Sequence, residues 1–155
     1  MPNASQAVTV RRLTSLEKAV EVLVRPALAL YPDSDEWYRR VKAKVAVGAA
    51  DAFAVYSGEA LAGVALGVLK SESAYKLRTF TVASEFRGRG LGALLLKAIE
   101  GRALSSGAEV IYVTTDARAK ESFGSFVIDR GYSEVASVED RYGVGRNELV
   151  YSKQL

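Results

Sequence analysis

The residues best equipped for chemistry sit together at 84–93, SEFRGRGLGA, where Gly88, Gly90 and Gly92 alternate with Arg87, Arg89 and Leu91. Glycine loses more conformational freedom on folding than any other residue, so such a cluster needs a reason. The stretch follows a β-type run and opens an apolar run with helical spacing. At a helix start the first amide N–H groups lack intrahelical partners, and the aligned peptide dipoles add about half a positive charge. Glycines let backbone approach a bulky anion, and arginine forks match phosphate oxygens. The chemistry that fits is a phosphate or pyrophosphate cradle.

Three other readings compete: an ordinary turn, a dinucleotide loop and an RG-type nucleic-acid contact. Gly88, Gly90 and Ala93 satisfy G-x-G-x-x-A, but the unit lies past the middle of the chain. The acidic residue about 20 positions on, Glu109, opens the next strand, whereas a ribose contact needs the far end. No Gly-Lys-Ser/Thr follows, so the Walker pattern fails. The RG pair occurs once, between regular elements, unlike nucleic-acid-binding RG segments.

Composition narrows the chemistry further. The chain of 155 residues has no cysteine and no histidine, which removes thiolate nucleophiles, the commonest general base and the commonest transition-metal ligands. No metal site is expected. Proton transfer must use Asp, Glu, Tyr, Lys, backbone or water. The net charge of +3 is mild, welcoming an anionic ligand without arguing for nucleic acid. No apolar leader is evident, and ALAGVALGVL at 60–69 is half the length of a membrane span. The expectation is a cytoplasmic protein, one domain over 1–155, with no nucleic-acid or membrane partner and with a homodimer left open. Asn3-Ala4-Ser5 matches a glycosylation acceptor by chance in such a setting.

The elements that must position the cradle follow from periodicity. AVTVRRL at 7–13 reads as a strand, and Ser15 as the cap of a helix carrying Leu16, Val20, Leu23 and Val24 up to Tyr31-Pro32. A second helix opens at Asp33 or Ser34, with Trp37, Val41 and Val45 on its apolar side. Two strands, 52–56 and 60–69, join through Ser57-Gly58-Glu59 as a hairpin. YKLRTFTVA at 75–83 alternates Tyr75, Leu77, Thr79 and Thr81 with Lys76, Arg78, Phe80 and Val82. After the glycines, Leu91, Leu94, Leu95, Ala98 and Ile99 mark one helix face. VIYVTT at 110–115 is a buried strand. A helix follows over 118–130, with Phe123, Phe126 and Val127 on one side, and two strands flank the loop EDRYGVGRN. The order β-α-α-β-β-β-α-β-α-β-β describes a mixed α/β (or α+β) domain.

With these pieces in place the chain resembles the GNAT superfamily of acyl-CoA-dependent N-acyltransferases. Its signature, apolar-x-Val-x-Pro at a strand end and then Arg/Gln-x-x-Gly-x-Gly/Ala at a helix start, is matched by FTVASEFRGRGLG. Phe80 and Val82 take the strand positions, Ser84 replaces the proline, and Arg87, Gly90 and Gly92 are the signature itself. The resemblance implies a mostly antiparallel sheet of seven strands with four helices, and acetyl-CoA as acyl donor. Its pyrophosphate would meet Arg87, Gly88, Arg89, Gly90, Leu91, Gly92 and Ala93, and its pantetheine the backbone of Phe80, Thr81 and Val82. Strands at this place in the family splay apart, and the backbone N–H of Val82 would be the oxyanion donor. The implied reaction is N-acetyl transfer to a primary amine by direct attack in a ternary complex.

Many members carry Asn and then Tyr on the helix before a Gly-aromatic pair, here Gly131-Tyr132. The Tyr position falls on Val127 and the Asn position on Lys120. The usual acid is therefore missing, and Lys120 becomes a cofactor contact. Candidate substitutes for acid or base are Glu72, Tyr75, Tyr112, Asp116 and Tyr132. Trp37, Tyr38, Arg39, Arg40 and Tyr142 are candidate walls for the acceptor, a small-molecule or peptide amine. Two alternatives remain: a non-catalytic acyl-CoA sensor or interaction module of the same fold, and a dinucleotide-binding enzyme.

Overall fold

A computed structural model describes residues 6–29, 31 and 33–155; Asn3-Ala4-Ser5 and Pro32 lie outside them. The elements are β1 (Val8–Leu13), α1 (Lys18–Leu28), α2 (Ser34–Ala46), β2 (Asp51–Ser57), β3 (Ala60–Leu69), β4 (Ala74–Val82), α3 (Leu91–Ser105), β5 (Val110–Asp116), α4 (Ser125–Ile128), β6 (Ser133–Val138) and β7 (Glu148–Gln154). The seven strands form one sheet in the order β1-β2-β3-β4-β5-β7-β6. All neighbours are antiparallel except β4 and β5. That single parallel pair requires a crossover, which α3 supplies.

Helices cover both faces. Leu95, Leu96 and Ile99 of α3 pack on Tyr75, Leu77 and Ile111, while Val20, Val24, Val41 and Val45 of α1 and α2 pack on Ala52, Ala54, Val64 and Leu66. The apolar run of β3 is thus explained: Ala62 and Ala65 face one layer, Val64 and Leu66 the other. Full burial of Leu95 or Ile99 stabilises by roughly 1.5–3 kcal/mol each.

Several expectations are corrected. Helix α1 is capped at Glu17, without a side-chain cap bond, rather than at Ser15. On α3 the buried face runs through Leu96, and Leu94 is exposed, so the stripe that packs on the sheet is Leu91, Leu95, Leu96, Ile99 and Ala103. The helix anticipated over 118–130 is broken into a 3-10 turn (Ala117–Ala119), a π-type turn (Lys120–Gly124) and short α4. Gly124, the last residue of the wide turn, leaves no room for a side chain: a Cβ there would lie 2.4 Å from the hydroxyl of Tyr151. The alternation of β4 also fails at Arg78. Leu66 opposes Thr79 while Gly67 opposes Leu77, so Arg78 is an extra residue, a β-bulge.

Candidate functional site

The bulge decides which backbone groups face away from β3. The amide of Ala83 donates to Ala62 O at 2.8 Å, and opposed residues in an antiparallel pair alternate between bonded and non-bonded. Thr81, opposite Val64, therefore bonds to β3. Phe80 and Val82, opposite Ala65 and Gly63, turn their N–H groups the other way, toward β5. Yet β5 meets β4 only from Ala74↔Val110 to Leu77↔Val113. Beyond Leu77 the strands separate, and the amides of Phe80 and Val82 point into the gap. Thr81 can reach a ligand there only through its side chain.

The gap is the middle of a cleft of about 950 Å³ that passes through the sheet. On the α3 side it is lined by Gly88, Gly90, Leu91, Gly92 and Ala93, with Phe80, Phe123, Phe126 and Arg130 forming a mainly apolar wall. The rings of Phe80 and Phe126 lie 5.4 Å apart. Arg130, which the sequence reading passed over, stacks 3.9 Å from the Phe126 centroid and donates to Phe126 O. On the α2 side Trp37, Arg40, Lys76, Arg78, Tyr142 and Glu148 complete the walls.

The glycines divide by cause. Gly88 and Gly90 have φ of 76° and 79°, and a Cβ on either would meet nothing within 4 Å; backbone conformation requires them, and the space before them is open. Gly92 is different. A Cβ there would sit 3.3 Å from the Phe126 ring, so it serves packing as well as access. The amides of Leu91, Gly92 and Ala93 stand at the start of α3 with no helical carbonyl before them. Arg87 donates through Nε to Val82 O at 3.0 Å, tying the loop to the end of β4. Arg89 lies over Phe86 outside the cleft lining. Lys120 is also outside it, exposed and 3.9 Å from Glu134.

None of the five acid–base candidates lines the cleft. Tyr75 is fully buried and its hydroxyl donates to Asp51 Oδ2 at 2.7 Å. Burial first, then that bond, pushes its pKa well above the ordinary value. Tyr132 is the same case, donating to Glu100 at 2.7 Å and raised by burial and then by Glu100. Asp116 is occupied by the Arg118 amide and by Arg118 and Arg146 side chains. Burial works to raise its pKa, but those hydrogen bonds and charges prevail and lower it. Tyr112 lies on β5 under Lys76 (ring centroid 5.9 Å), on the paired stretch below the gap. Glu72 is exposed in the turn before β4, and the strand from Ala74 to Phe80 spans about 20 Å. Val127, at the position where the family often has tyrosine, is buried in the core.

The polar pair that the cleft does contain is Tyr142 and Glu148. The Tyr142 hydroxyl donates to Glu148 Oε2 at 2.6 Å, and its ring makes an edge contact with Tyr31 at 4.9 Å. Burial, then the bond to Glu148, raises its pKa, so it stays a donor and leaves Glu148 an acceptor. Of the acceptor-wall candidates, Trp37, Arg40 and Tyr142 line the cleft. Tyr38 is instead buried in the α1/α2 core, and Arg39 is exposed outside the lining. No group of three or more potential metal ligands occurs among the described residues, and none of their helices is long and apolar enough to cross a membrane.

The sequence profile of the acetyltransferase (GNAT) family matches residues 16–123. The chain belongs to the GNAT family. Its structure is similar to a GNAT acetyltransferase from Elizabethkingia anophelis with acetyl-CoA bound: TM-score 0.74, 14% identity, over 96% of this chain and 98% of that one. An aminoglycoside 6'-N-acetyltransferase complexed with coenzyme A superposes with TM-score 0.77 at 17% identity, over 94% and 96%. The IAA acetyltransferase from Bacillus cereus gives 0.75 at 18%, over 96% and 100%. Identities this low establish a shared fold alone. No curated protein matches the sequence significantly.

Proposed function

We propose that this GNAT protein transfers the acetyl group of acetyl-CoA to a primary amine, by direct attack with both substrates bound. One observation carries the proposal. The bulge at Arg78 and the early parting of β4 from β5 leave the Phe80 and Val82 amides aimed into a cleft that also receives the N-terminus of α3. The residues fit acetyl-CoA: the open backbone at Gly88 and Gly90 and the amides of Leu91 to Ala93 suit a pyrophosphate, and the Phe80 and Val82 amides suit the amide-bearing arm. The bound donor supplies the activated acetyl group and a thiolate that departs near neutral pH.

The protein does the rest by placement and polarity. The acceptor nitrogen forms its bond to the acetyl carbon as the carbon–sulfur bond breaks, and the Val82 N–H donates to the oxygen on which negative charge develops. Glu148, held by Tyr142, accepts the proton the amine loses. The sensor reading draws support from Val127, but an acceptor carboxylate in the cleft favours catalysis. The test is thermal stabilisation by acetyl-CoA, CoA and NAD, followed by thiol release across an amine panel. CoA-selective stabilisation with amine-dependent thiol release is expected, and Glu148→Gln should lower kcat about 100-fold or more while keeping CoA binding. Response to NAD alone would overturn the donor assignment. Tight CoA binding without turnover of any amine would leave the sensor.

A further inference from the structure

A side cavity of about 190 Å³ opens beside the cleft and shares Trp37, Arg40 and Arg78 with it. Arg40, Lys44 and Arg78 bring three cations to its lining, and no carboxylate lines it. Arg40 and Lys44 lie four apart on α2 and so share a helix face. Arg78 follows Lys76 by two on β4 and so faces the same α2 side of the sheet. The exposed carboxylate of Glu36 lies 3.8 Å from Arg40, and Glu148 lines the adjoining main cleft. Lys44 and Arg78 have no ion pair there. The excess charge is felt nearby: Lys76 is held below the ordinary lysine pKa by burial first, and next by Arg78 and Lys70. Val41, Ala50 and Val68 close the cavity with apolar surface, so a charge entering it is poorly screened.

The main cleft offers the opposite polarity at Glu148, with the rings of Tyr142 and Tyr31 beside it. Two residues of strand, about 7 Å, separate Arg78 from Phe80. A ligand of modest length can therefore place an amine in the gap and an anion among the cations.

Resting on the acetyl-transfer reading above, we infer that the acceptor is a small zwitterion. It is a primary amine carrying a carboxylate or phosphonate, and the anion enters the Arg40–Lys44–Arg78 cavity. Guanidinium forks suit both anions.

The experiment measures kcat/KM with acetyl-CoA for β-alanine, its neutral amide, 2-aminoethylphosphonate and spermidine. An anionic amine should exceed the neutral amide by about tenfold or more, with the preference shrinking as salt rises. In the double variant R40Q/K44Q that ratio should fall toward unity, whereas Arg39→Gln, outside the cleft, keeps it. Whichever of β-alanine and 2-aminoethylphosphonate is preferred names the anion. Preference for spermidine or the amide, or a ratio that survives in R40Q/K44Q, overturns the inference. If no amine is turned over, the acetyl-transfer reading fails, and the cavity is read separately with methylphosphonate. Stabilisation of the parent protein but not of R40Q/K44Q then supports an anion site, and equal responses overturn it.

Discussion

From Tyr75 to Leu77, β4 is paired on both sides, to β3 and to β5; beyond the bulge at Arg78, from Thr79 to Val82, it is paired to β3 alone. In the paired half the fully buried polar side chain, Tyr75, is satisfied inside the protein. The Tyr75 hydroxyl donates to Asp51, which also receives Arg12 and Arg102, so its buried charge is compensated. In the unpaired half the demands face outward, because the Phe80 and Val82 amides have no strand to bond. A reactive residue type on the paired half is therefore structural, and plain backbone on the unpaired half is what a ligand can use.

The contrast predicts that variants in the two halves separate ligand binding from stability. The largest effect belongs to Gly90→Asp, which sets a carboxylate before the α3 amides in a left-handed position. CoA affinity should fall by about 100-fold or more, with a stability cost of roughly 1–2 kcal/mol. Calorimetric titration with CoA checks it, and an affinity within threefold of the parent would break the contrast. Next comes Gly67→Ala, whose Cβ would fall 2.4 Å from the Tyr75 ring. Overpacking should cost roughly 1–3 kcal/mol, read as a Tm lower by about 3–9 °C, with CoA affinity unchanged. A tenfold loss of affinity would show that the halves are coupled.

The smallest effect is a pH dependence. Folding holds the Tyr75 and Tyr132 protons by burial and by bonds to Asp51 and Glu100, raising both pKa values. The unfolded chain releases these protons near pH 10. The stabilisation is therefore complete below about pH 10 and is lost as pH rises beyond it. The urea midpoint should fall in that range, and Tyr75→Phe should lessen the slope. An unchanged slope would show that the hydroxyl is not held as the structure indicates.

Much of the architecture was legible because periodicity carries it: the element order, the hairpin at Gly58 and the strand–glycine–helix unit all follow from spacing and turn chemistry. The bulge was not legible, since YKLRTFTVA alternates without a break and only pairing with β3 reveals Arg78 as extra. Acid–base candidates were chosen by residue type, which says nothing about burial; Tyr75 and Tyr132 went to the core for that reason. Glu148 was passed over because its tie to Tyr142 spans the loop EDRYGVGRN. A carboxylate opening a strand, six residues after a tyrosine, was the available signal.

The sheet order holds one more consequence, in the timing of assembly. β7 lies between β5 and β6, although both precede it in the chain. During synthesis, β5 has only its short contact with β4 and β6 has no partner until Glu148–Gln154 emerges and slides between them. The strand that walls one side of the cleft is thus secured last, by long-range pairing that is slow to form. Until then the nascent chain carries two open strand edges, the surfaces through which copies of an unfinished protein adhere to one another.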